Sequence, residues 1–174
     1  MNSNIYGLRL VDDKTPNQYK VVNEENLDYN MVSDFADYIK DYSKTEWWAE
    51  LQWLHNCYEF IDITMKDGEY YITIKMEDLK FHLEDKLDNL KKFLEEMTYE
   101  KWLNDYLSQY KAQQQIEKTG GFHIIHTTGV KEDESLWNAS EYTLDDWLYT
   151  MYRYYNKTHT TLTFRVEGVL DYHH

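Results

Sequence analysis

The chain has 174 residues, 42% apolar and 17% aromatic, with 17 Tyr, 6 Trp, one Pro and one Cys. That length and apolar content exclude a disordered chain and suit one domain with a sizeable core, while a single cysteine excludes an internal disulfide. The formal net charge of −14 excludes a surface built to hold nucleic-acid or membrane phosphates, and no apolar run reaches the length of a membrane span.

Residues 1–30 carry the weakest periodicity. Ile5 to Leu10 and Tyr19 to Val22 read as strands joined by a turn at 12–17. Ser33 then suits an N-cap for a helix with Phe35, Tyr38, Ile39 and Tyr42 at i, i+3, i+4 and i+7. Thr45 can restart or kink that helix, and Glu46 to Asn56 continues it with Trp47, Leu51 and Leu54 on one face.

The strongest local pattern follows. Asp67-Gly68 favours a two-residue type I′ turn, because both central positions need φ > 0. Fixing the turn fixes the register: Lys66 faces Glu69, Met65 faces Tyr70, Ile63 faces Ile72, and Ile61 faces Ile74. Thr64/Tyr71 and Asp62/Thr73 line the opposite face. A helix over roughly 78–97 carries Leu83, Leu87, Leu90, Leu94 and Met97 on one stripe, which is expected to cover the isoleucine face. Thr98 caps a further helix with Tyr99, Trp102, Leu103, Tyr106, Leu107 and Tyr110 at helical spacing, stopping near Gly120-Gly121.

Phe122 to Thr128 is β-rich, and 129–141 reads as an acidic loop. Thr143 caps a helix with Leu144, Trp147, Leu148, Met151, Tyr152 and Tyr155 on one stripe. Thr161 to Val166 closes as a period-two strand. The sum is one α+β domain over 1–174: a mostly antiparallel sheet built on a central β-hairpin, packed with about four amphipathic helices.

Sites for chemistry are scarce. His123 and His126, with His55, Cys57 or His82, suggest half a metal site, but strand residues three apart point to opposite faces. Asp62 faces Thr73, where a hairpin nuclease would need a second carboxylate. Lys118-Thr119-Gly120-Gly121 follows a helix instead of opening one, so it reads as a helix stop and not a phosphate loop. Cys57 is expected as a small buried thiol. No catalytic residue, metal or cofactor is expected. Most rings are expected in the core, with Trp48, Trp53, Tyr149 and Tyr154 off the main stripes and exposed.

Charge placement says more. Residues 24–62 hold ten acids against two bases, 132–146 hold six acids and no base, and the remainder has 16 of each. Asp34, Asp37 and Asp41 at i, i+3, i+7, with Glu46 and Glu50 at i, i+4, would stand about 4.5 to 6 Å apart along a helix axis, much like a row of phosphates. The bland reading is a solvated helix face. The functional reading is a carboxylate ridge aimed at a basic protein groove, with Glu132, Asp133 and Glu134 as a second contact.

The passage from Tyr70 to Phe81, running into Leu83-Glu84-Asp85-Lys86-Leu87-Asp88-Asn89-Leu90, resembles a strand-to-helix passage in small phage-encoded Cas9 inhibitors, the anti-CRISPR proteins. The resemblance implies a class only, a small cytosolic inhibitor from a phage or mobile element, and carries over no functional residue. The expected function is thus an acidic protein inhibitor of a bacterial defence nuclease, a CRISPR effector or restriction enzyme, acting by electrostatic docking or partial DNA mimicry. The alternative is an immunity protein that neutralises a basic toxin enzyme. Either would work in the cytoplasm of a bacterial host cell, consistent with a lone cysteine and no apolar run after Met1.

Overall fold

The computed structural model describes residues 2–11, 38–116, 124–128 and 140–173. The chain order begins β1 (Asn2–Leu10), β2 (Tyr38–Asp41), α1 (Lys44–Cys57), β3 (Ile61–Lys66), β4 (Glu69–Lys75) and α2 (Met76–Glu95). It continues α3 (Tyr99–Asn104), α4 (Tyr106–Ile116), β5 (Ile124–Thr128), β6 (Ser140–Thr143), α5 (Leu144–Tyr155) and β7 (Thr161–His173). The class is α+β.

Asp67 and Gly68 turn the β3–β4 hairpin at φ 52° and 77°, so both central residues take the left-handed conformation that a type I′ turn demands. All six cross-strand pairs expected from that turn are present, from Lys66↔Glu69 to Ile61↔Ile74. Ile61, Ile72 and Ile74 are fully buried, whereas Met65 at the hairpin tip is exposed. The register is therefore the one that the local turn chemistry specifies.

The hairpin is not the centre of the sheet. The strand order is β3-β4-β7-β1-β5-β6, which puts the hairpin at one edge. The organising strand is β7. One of its edges pairs antiparallel with β1 along nearly its whole length. Its other edge pairs with β4 through Thr161 to Arg165 and with β2 through Leu170 to His173. Only the β1–β5 pairing among these is parallel.

The 13 residues of β7 run well past the expected end at Val166. The register slips between Gly7 and Leu8, whose partners are Gly168 and Val166, leaving Glu167 as the extra residue of a β-bulge. Glu167 and Gly168 hide the strand from a period-two reading, since one breaks the alternation and the other has no side chain. The buried Glu167 carboxylate holds Arg9 Nε at 2.7 Å and Arg165 Nη2 at 2.5 Å. Its charge is thus neutralised inside the sheet.

One face of the sheet carries the main core. Tyr6, Leu8, Ile72, Ile74, Leu162 and Phe164 meet Leu51 and Leu54 of α1, Met76 and Leu79 of α2, and the inner face of α5. On α5, Leu144, Trp147, Leu148 and Met151 are fully buried, and the Trp147 ring lies 5.1 Å from Phe164. Thr143 opens this helix as expected, its hydroxyl accepting the Asp146 N–H at 3.3 Å.

Several expectations are corrected. Residues 38–41 form a strand, not the helix that Tyr38, Ile39 and Tyr42 suggested. The edge of β7 offers unpaired backbone groups there, and pairing overrides a helical period of only two turns. Helix α1 starts after Ser43, not at Thr45, because the Glu46 carboxylate accepts the Ser43 N–H at 2.7 Å and its hydroxyl at 2.6 Å. The helix after Thr98 is two helices. Asp105 leaves helical geometry and accepts from Leu107 N–H at 3.0 Å and the Ser108 hydroxyl at 2.5 Å, so it caps α4. Residues 140–141, expected as the end of the acidic loop, belong to strand β6. The leucine stripe of α2 covers the sheet only at its start: Leu87 and Leu94 stay half-exposed. The strand expected at 19–22 and the turn at 12–17 lie outside the described residues.

Candidate functional site

Of the eight acids expected to face a partner, Asp34, Asp37, Glu132, Asp133 and Glu134 lie outside the described residues. Asp41, Glu46 and Glu50 are described. The first sits at the end of β2 and the others on α1, so these three do not form one helical ridge. Asp41 and Glu46 are exposed, while Glu50 is half-buried.

Each α1 acid has an internal task as well. The two Ser43 hydrogen bonds, the side-chain one foremost, hold the Glu46 carboxyl below the usual carboxylate range. Glu50 accepts from Asn4 Nδ2 at 2.5 Å, which ties α1 to β1. Tyr42 sits among Glu50, Asp171 and Glu46; burial first and these charges next push its hydroxyl up to about 12. Three carboxylates therefore act on one point near the N-terminal end of α1. Lys40 and Lys44 lie beside them, and Lys44 is engaged by Glu69 at 2.8 Å.

Helical spacing extends this flank. Glu46, Glu50, Trp53 and Cys57 follow at i, i+4, i+7 and i+11, on the flank next to the side that buries Leu51 and Leu54. Trp53 is exposed, as its position off the apolar stripe suggested, and so are Trp48, Tyr149 and Tyr154. Trp48 stacks on Tyr70 with centroids 6.1 Å apart. Cys57 is also exposed, contrary to the expectation of a buried thiol, because α1 ends there and turns it away from the core. Partial desolvation raises its pKa, which disfavours the thiolate. Two carboxylates beside an indole match a guanidinium, which donates a bidentate pair of hydrogen bonds to a carboxylate and stacks on the indole.

A second titratable cluster joins α2 to α5. Lys86 Nζ meets the buried Asp145 carboxylate at 2.8 Å and sits 5.8 Å over the Tyr149 ring. His82, one turn earlier, packs against Phe60 and Tyr58 with centroids 4.8 and 5.7 Å away. Burial, then Lys86, lowers the His82 pKa. Burial, then Asp145, pushes the Tyr58 hydroxyl up to about 12. The cluster fastens two helices together.

Of the histidines weighed above as half a metal site and set aside, His55 and His126 lie on separate elements, α1 and β5. His55 Nδ1 contacts the Ile61 carbonyl at 2.7 Å, and His123 is outside the described residues. Among the described residues no three His, Cys, Asp or Glu side chains gather as a metal site would need. Asp62 pairs with Thr73 in the hairpin register. No described helix is long and apolar enough to cross a membrane. The sequence reading missed the Ser43–Glu46 capping box, whose S-x-x-E spacing was there to be seen. It also missed the exposed surface of α3 and α4, for which helical periodicity gave the opposite signal.

No protein-family model, curated protein or solved structure matches the chain.

Proposed function

We propose that this protein is a non-enzymatic acidic inhibitor that docks onto a basic groove of a bacterial defence nuclease, a CRISPR effector or restriction enzyme. The observation that carries the reading is one flank of α1, where Glu46, the half-buried Glu50 and Trp53 share a side of the helix, with Asp41 at the end of β2, just before it. An arginine-lined nucleic-acid channel supplies the complementary groups. Net charge supports it: the described residues hold 21 acids against 14 bases, half of the −14 of the whole chain. The other half lies in segments that include Asp34, Asp37 and Glu132 to Glu134. The weak likeness to anti-CRISPR proteins points to the same class of target.

The test begins with capture of the nuclease from a bacterial lysate, followed by association kinetics with the purified pair. Steering by charge predicts an association rate that falls about tenfold or more as added salt shortens the Debye length from about 10 Å to about 3 Å. Replacing Asp34, Asp37 and Asp41 together with Asn is expected to slow association by a similar factor, with unchanged circular dichroism. Inhibition that is insensitive to salt and to all three substitutions would remove the mechanism.

A further inference from the structure

We infer that the face formed by the second half of α2 with α3 and α4 is a homodimer interface, occupied by the same face of a second copy of this chain. On α2, Leu83, Leu87, Leu90 and Leu94 recur in alternating steps of four and three, the seam of a two-stranded helix pair, and Met97 follows just past the helix end. Within one chain Met76 and Leu79 are buried, Leu83 packs against the core and Leu90 is half-buried, while Leu87 and Leu94 are each 50% exposed. Beside this seam, Tyr99, Leu103 and Tyr106 are 89%, 70% and 76% exposed. Trp102, Leu107 and Tyr110 are exposed too.

Area and charge select the occupant. These eight side chains expose on the order of 1,000 Å². A monomer rarely shows an apolar patch above a few hundred Å², and a standard-size interface takes about 800 Å² from each partner. Residues 76–116 carry nine acids and six bases, a net −3, against −14 for the whole chain. Two molecules of like charge repel least where their surfaces are nearly balanced. The charges flanking the seam have both signs and are paired along their own helix, Lys80 with Glu84 at 3.6 Å and Lys91 with Asp88 at 3.2 Å. A basic partner, by contrast, is drawn to the α1 flank. An apolar leucine seam is complementary to itself under a two-fold axis, which closes the assembly at two copies.

Sedimentation equilibrium on the full chain tests this. The expected result is a species of twice 21.3 kDa in the micromolar range. Leu103→Glu with Tyr106→Glu, and separately Leu87→Glu with Leu94→Glu, are each expected to weaken dimerisation on the order of tenfold or more. The first pair is so exposed that circular dichroism and thermal midpoint of the monomer stay unchanged. Asp41→Asn with Glu46→Gln leaves dimerisation as it is, so failure here is distinguishable from failure of the groove-docking function. A chain that stays monomeric at about 100 µM overturns the proposal, as does a dimer indifferent to both arm variants. A monomer whose α3–α4 amides are protected from exchange also overturns it, by placing another segment of the same chain on this face.

Discussion

Helix α5 and the α3–α4 pair carry the same apolar spacing and end in opposite environments. On α5, Leu144, Trp147, Leu148 and Met151 stand at i, i+3, i+4 and i+7, and all four are fully buried. On α3 and the start of α4, Tyr99, Trp102, Leu103 and Tyr106 stand at the same intervals, and all four are exposed. Helical periodicity states which side of a helix is apolar. It does not state whether the fold brings a surface to that side. The sheet supplies one for α5, through Phe164 and Val166 of β7. The second half of α2 leads α3 and α4 away from it.

The largest expected effect sets the two regions directly against each other. Trp147→Ala opens a cavity against Phe164 and is expected to cost about 3–5 kcal/mol. Trp102→Ala removes a ring that is 43% exposed and is expected to change stability by about 0.5 kcal/mol or less in dilute solution. Urea unfolding of both variants decides the matter. Equal losses would mean that the α3–α4 rings are part of the same core.

The junction between the regions gives the next effect. Lys86→Met leaves the Asp145 carboxylate, 8% exposed, without its cation. The expected loss is about 1–3 kcal/mol, the cost of stranding a buried polar group. Double substitution with Asp145→Leu is expected to recover part of it. No recovery would show that Lys86 acts through its packing on Tyr149 and not through the ion pair.

The smallest effect is a pH slope at the same junction. His82 has a pKa below the ordinary 6.5, through burial and then Lys86. As pH falls through about 6.5, the unfolded chain takes up a proton that the folded chain refuses, so stability drops. The drop ends once the folded imidazole protonates. His82→Phe keeps the packing on Phe60 and is expected to flatten this part of the profile relative to the parent chain. Identical slopes from urea unfolding between pH 7 and pH 5 would show that His82 meets no such penalty.

Legibility in the sequence followed the range of the interaction. The hairpin register, the Thr143 cap and the inner face of α5 were readable because each rests on residues within a turn or two of one another. The Ser43–Glu46 capping box was equally local and had a readable spacing. Of the candidate site, Glu46 and Glu50 were correctly placed on one side of a helix, but Asp41 was not, because its segment is held by β7 from the far end of the chain. The tie of Glu50 to Asn4 was also invisible, since it bridges 46 residues of sequence.

Sequence alone thus determined the class of the fold, the turn at Asp67-Gly68 and the apolar side of every long helix, since these follow from backbone preference and periodicity. Folding decided the rest: that β7 and not the hairpin is the axis of the sheet, that residues 38–41 extend along its edge, and that the α2–α4 face stays open. Those outcomes depend on which backbone edges and apolar surfaces meet across long stretches of chain. A pattern within one segment holds no record of its distant neighbours.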